Sequence, residues 1–248
     1  TWREALRLLG LILSLLTVPM ALLVVDSPGL RGLFPDGAGQ PPHQTKEELA
    51  AEPISVTGLF KNPTFWLICL TVAVVTSGMK GMITNLTPLA MDAGMKAGDA
   101  AGLISIYAGC GFIAKFNFAM LADRLGPKAL MFASLGGFAA GMALLTNAGA
   151  GYGAIVLGIA TIGLFGGMMV PLESFLASRV FGQRVVGKAM GLISGTILIA
   201  LLFTPPLFGL IFDLTGSYRG ILWTFAGLAL VAMLGVRLIR LQQREPEV

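Results

Sequence analysis

Charge is scarce in this chain. Only 12% of its 248 residues are Asp, Glu, Lys or Arg, where a soluble domain carries about 25%. Mean hydropathy is +0.82. A solvated globular surface cannot be built from so few charges. Histidine occurs once, at His43, with no second His or Cys nearby, so no metal-ligand set forms there. The two cysteines, Cys69 and Cys110, fall inside apolar runs, and a disulfide framework is not indicated. Paired carboxylates, an H-E-x-x-H run and a placed nucleophile with its base are missing, which argues against a membrane-embedded enzyme. Nothing in the sequence calls for a cofactor. The net charge of +4 would suit nucleic acid in a soluble protein, but in a membrane protein basic residues first report topology. No nucleic-acid partner is expected.

What the chain has instead is long apolar runs. A bilayer core about 30 Å thick takes roughly 20 apolar residues per helix. Seven runs of that kind are present, at about residues 6–25, 63–88, 99–121, 128–147, 152–175, 186–211 and 219–239. They are continuously apolar, whereas barrel strands would be about ten residues long and alternate, so spanning helices are predicted. The first run follows Arg3 and Arg7 as a signal peptide would, but no small-residue cleavage site follows LLVVDSPGL. Its first residue is Thr, and the chain is expected to be a fragment of something longer.

If all seven runs cross, one side carries eleven basic residues (Arg31, Lys46, Lys61, Arg124, Lys128, Arg179, Arg184, Lys188, Arg237, Arg240 and Arg244). The other side carries four, Arg3, Arg7, Lys96 and Arg219. By the positive-inside rule the C-terminus and the loop 26–62 are cytoplasmic and Thr1 lies outside. That loop, rich in Pro, Gly and acid, reads as a flexible linker, and ISVTGLFKNPTFW at its end could lie along the membrane surface. The expected organisation is a helix at 1–25, a cytoplasmic loop at 26–62 and a six-helix domain at 63–248. Small residues recur at four-residue spacing, as in Gly137/Gly141, Gly163/Gly167 and Gly187/Gly191/Gly195, a pattern that lets helix backbones approach.

Two cations remain, and both lie within spans. Taking a cation to the bilayer centre costs about 3 kcal/mol on insertion scales, so Lys80 and Lys115 require a bundle interior, a watery cavity or a partner. At helical spacing Thr76, Ser77, Thr84 and Thr87 fall within about 60° of Lys80. These hydroxyls either bond their own backbone or line a polar passage. Gly78, Gly81 and the following Pro88 would let this helix bend or unwind. Lys115 has small residues on its face, Ala101, Ala108, Gly111 and Ala119, and either extends into that space or snorkels to the cytoplasmic surface. Glu173, following Pro171, is a candidate to neutralise it or to carry a proton, with a plain interfacial carboxylate as the alternative.

The cytoplasmic turn LADRLGPK brings Asp123, Arg124 and Lys128 together. Asp123 can accept from the exposed amides of a helix N-terminus, and Arg124 can pair with an acid, contacts that could hold one conformation and release in another.

This turn resembles the major facilitator superfamily signature G-x-L-A-D-R-x-G-R-K, found between the second and third helices and again between the eighth and ninth. Ala114-Lys115 occupies the place of its preceding Gly-Arg pair. FGQRVVGKAMG at 181–191 and GLIFDLTGSY at 209–218 resemble two further family motifs. Ala119 and Pro127 depart from the signature, where the family prefers Gly and a basic residue. The resemblance implies an all-α membrane protein whose first run is the family's sixth helix and whose last six helices are one half-bundle of a twelve-helix transporter. It implies partners in the bilayer, a small solute and an absent N-terminal half, and a place in the cell (inner) membrane. Asp123, Arg124 and Lys128 become gating residues. Lys80 and Lys115 would be counter-charges to an organic anion, as in the monocarboxylate and oxalate/formate branch, with Thr76, Ser77, Thr84 and Asn85 as neutral contacts. A seven-helix receptor with a Schiff-base lysine is the competing class, but the last run, ILWTFAGLALVAMLGV, holds no lysine.

Overall fold

The computed structural model describes residues 2–23, 56–122, 124–182 and 185–238, and every regular element among them is helical. The chain divides into two units, Thr1–Glu52 and Pro53–Val248. The described part of the first is α1, Trp2–Leu23, which is long and apolar enough to cross a membrane.

The second unit begins with a short helix, α2, Val56–Lys61. It falls in the segment expected along the membrane surface. The chain then turns at Asn62, whose side chain accepts from the Thr64 amide, and Pro63 takes the first helical position, where its missing N–H costs nothing. The Trp66 indole nitrogen donates back to Phe60 O at 2.8 Å, and Phe60, Phe65 and Trp66 pack as a ring cluster.

From there α3 runs Pro63–Thr84, and after a one-residue interruption at Asn85 a short α4 covers Leu86–Asp92. Next come α5, Ala97–Ala122, and α6, Pro127–Leu145, which starts at the Gly126–Pro127 turn. The predicted run 152–175 is a single longer span that extends to Phe181. It is made of α7, Tyr152–Thr161, a π-helical turn at Ile162–Gly166, and α8, Met169–Phe181. The last two are α9, Val186–Thr215, and α10, Arg219–Val236. Gly216 closes α9 with φ 66°, a left-handed conformation that glycine adopts without a Cβ penalty. All seven expected spans are present as helices of sufficient length and apolarity.

The packing order follows from which helices are greasy all round. α3 is buried through most of its length, including Phe65, Ile68, Val72, Val75 and Met82, and lies against α9 and α10. α10 packs on α6, α6 on α7 and the π turn, and α5 on the π turn. Glycines set the closest approaches. A Cβ on Gly137 would overlap the Phe165 side chain, and one on Gly141 would meet Ile162 and the carbonyl of Gly158. Gly163 and Gly167 lie against α5, so these two expected pairs are packing sites. The Gly187/Gly191/Gly195 row differs, with nothing within 4 Å of any of the three. The reason is that this side of α9 faces away from the other described helices, as does much of α5; the membrane-length windows of both are only 17% buried.

Candidate functional site

Lys80 stands one turn before the end of α3 and its side chain is exposed. Thr76 and Thr84, one turn to either side, share that face, half-buried and exposed respectively. The Thr84 hydroxyl donates to Lys80 O at 2.9 Å, so this hydroxyl takes the backbone-bonding alternative in the structure. Ser77 turns the other way and is buried. Asn85 is half-buried, and its side-chain nitrogen donates to Gly81 O at 2.9 Å and across to Pro205 O of α9 at 3.3 Å. The structure therefore groups Thr76, Lys80 and Thr84 on an open face and places Ser77 and Asn85 behind it.

Lys115 is exposed on α5 beside Phe112 and Phe116, whose rings meet at a 59° tilt with centroids 5.0 Å apart. α3 and α5 have little contact, so the two lysines project from separate helices rather than a single cluster. Arg124 is exposed in the turn after α5, and Lys128 is half-buried in the first turn of α6. Asp123, the third residue of that turn, lies outside the described residues.

Glu173 is enclosed by the bundle. The apolar run ends at residue 175, but α8 continues to Phe181, and the residue is only 9% exposed. Cys69 on α3 is buried, and the Thr196 hydroxyl of α9 donates to Leu192 O at 3.0 Å.

Two further features escaped the sequence. The π turn leaves a carbonyl for the Ser134 hydroxyl of α6, which donates to Phe165 O at 2.9 Å. Isolated π turns commonly mark functional positions. At the end of the bundle away from Arg124, a cleft of about 380 Å³ is walled by Asp92, Thr146, Asn147, Ser217, Tyr218 and Arg219, with Leu89, Leu145 and Leu222 at its base. The Tyr218 ring stacks on Phe212 at 4.5 Å. Burial pushes its phenol above the ordinary tyrosine range, and the Asp92 and Asp213 carboxylates push the same way.

Comparison with known proteins bears on these residues together. The family model described as Major Facilitator Superfamily matches residues 92–248. Monocarboxylate transporter 11 of Mus musculus is 32% identical over 225 residues, covering 88% of this chain and 48% of the relative. The protein of the same name from Homo sapiens is 29% identical over 226 residues, 88% of this chain and 45% of its own length. An uncharacterized 38 kDa protein in a 23S RNA operon of Thermoproteus tenax is 26% identical over 233 residues, 94% of this chain and 54% of that protein. The chain thus spans about half the length of the curated relatives it matches. The family match joins the seven membrane-length helices in making this a multi-pass integral membrane protein of a transporter family rather than an enzyme, and the chain belongs to the major facilitator superfamily.

Proposed function

We propose that this chain is the C-terminal part of a secondary transporter that moves a small organic anion, with monocarboxylates first among them, by alternating access. The observation that carries the reading is a pair of lysines, Lys80 and Lys115, inside membrane-length apolar helices. An ammonium kept there has to be offset, and a solute carboxylate is the simplest partner. The relatives called monocarboxylate transporter 11 support the same class of solute.

In this reading Lys80 and Lys115 are counter-charges, and Thr76 and Thr84 flank Lys80 as neutral contacts. Ser77 and Asn85 support the face from behind. Asp123, Arg124 and Lys128 form a cytoplasmic latch, and Glu173 carries the coupled proton. The missing partner is an N-terminal half of similar size, with the solute held between the halves. Residues 1–25 are its sixth helix, 26–62 the central cytoplasmic loop and 63–248 the second half-bundle. The C-terminus faces the cytoplasm of a cell membrane.

The test is uptake of labelled small carboxylates by the complete gene product in liposomes. Lys80→Ala and Lys115→Ala should each lower kcat/KM by about tenfold or more, the cost of removing one charge-assisted contact. Unchanged uptake in both variants removes the assignment.

A further inference from the structure

The interruption of α3 and the tandem proline of α9 are fastened to each other. Pro88 has no amide hydrogen to give Thr84 O, and α3 ends at Thr84 before α4 resumes at Leu86. Pro205 and Pro206 likewise withhold the amide hydrogens that the Leu201 and Leu202 carbonyls would receive in an unbroken α9. Asn85 joins the two weak points, through its bonds to Gly81 O and Pro205 O. Both partners are carbonyl oxygens, which only accept, so the amide must present its nitrogen to them and its oxygen elsewhere. Backbone packing agrees. A Cβ on Gly81 would stand 2.6 Å from Thr204 Cγ2 and 2.8 Å from the Phe208 ring, so the helices meet here with nothing but hydrogen on the α3 side. Beyond the breaks lie α4 and the last turns of α9, and Leu89, Asp92 and Ala93 from the one face Ser217 and Tyr218 beyond the other across the cleft.

We propose that Asn85 is a positioning residue that ties the break in α3 to the break in α9, so that α4 and the outer end of α9 turn as one piece when the cleft opens and closes. Both amide hydrogens are committed to this bridge, which sets Asn85 apart from the solute-facing Lys80 and Thr84. The need for such a movement rests on the transporter reading. The bridge itself can be measured with no solute present.

The experiment uses the complete gene product in liposomes, with Cys69 and Cys110 replaced by alanine and Ala93→Cys introduced in the cleft wall. The rate of labelling by a membrane-impermeant maleimide is followed without solute. Asn85→Asp keeps the shape but sets acceptor oxygens against both carbonyls, and should speed labelling about fivefold to tenfold, the size of one lost neutral hydrogen bond. In uptake it should lower kcat by a similar factor and move KM by less than about twofold. Asn85→Gln, which retains the amide on a longer arm, should recover at least half of each effect. An unchanged labelling rate in Asn85→Asp overturns the bridge, and so does a raised KM with normal kcat and labelling, which would make Asn85 a direct solute contact. If Asn85→Asp does not fold, Asn85→Ser, with a single donor, is judged by the same labelling rate. Altered labelling in a protein that takes up no carboxylate would sink the substrate reading and leave the bridge standing.

Discussion

Gly163 in the π turn and Cys110 of α5 stand so close that a Cβ built on the glycine would lie 2.9 Å from the cysteine Cβ, and as near to Tyr107 O. A backbone oxygen cannot swing aside as a flexible side chain can. Gly163→Ala should therefore destabilise the protein by about 1–3 kcal/mol through overpacking. Gly109→Ala, on the same helix as Cys110 but with nothing within 4 Å, serves as the control and should be neutral or slightly stabilising. Thermal melting of the purified protein in detergent distinguishes the two; equal melting points would mean that the neighbours of Gly163 yield without cost.

Ser134→Ala removes the hydroxyl that donates to Phe165 O. The carbonyl sits in a dry contact between α6 and the π turn, and losing its extra donor should cost about 1 kcal/mol. Ser134→Thr keeps the donor and should lose less of it. A wild-type melting point for Ser134→Ala would show that the π turn stands without this support.

The distribution of basic residues predicts a sidedness. Cysteines placed at the exposed Gly126 and Gly149, at the two ends of α6, should report opposite sides of the membrane. Gly149→Cys should react with an impermeant maleimide on intact cells, and Gly126→Cys only after permeabilisation. The reverse pattern would invert the orientation derived from the charge count.

Glu173→Gln leaves the shape of α8 intact and removes a carboxylate that is almost fully enclosed. Uptake driven by a pH gradient should fall to the level seen without a gradient, while solute exchange at equal pH continues. Stability should hold or rise, because burying a neutral amide costs less than burying a charge. Retained gradient-driven uptake would take the proton role from this residue.

Tyr218 supplies a pH test. Its phenol is raised, so the folded state favours the neutral form, and the stability this contributes is fully present below the unfolded tyrosine value of about 10. It is lost as pH climbs through the folded value. Tyr218→Phe should flatten that alkaline decline in melting temperature; an identical alkaline profile would place the effect elsewhere.

The spans were legible because hydrophobicity over 20 residues is a property of the sequence itself, and all seven appear. What was not legible involved partners far apart in the chain. Pro88 announced the interruption of α3, but nothing near Asn85 in sequence names Pro205. The enclosure of Glu173 was not legible either, because the apolar run at 152–175 stops before the helix does, and α8 continues to Phe181. The glycine pairs looked alike on paper, yet Gly163 is pressed against a neighbour and Gly191 faces open space. Spacing says which residues share a side of a helix; it does not say what stands opposite. Lys80 and Lys115 were found by their charge, and the runs already put them on separate helices; that these two helices have little contact came only from the fold.

The indole of Trp66 holding the carbonyl of Phe60 makes α2 a rigid spur on the first turn of α3. A rotation of α3 about its long axis would therefore swing α2 sideways with it, so the two helices cannot turn independently.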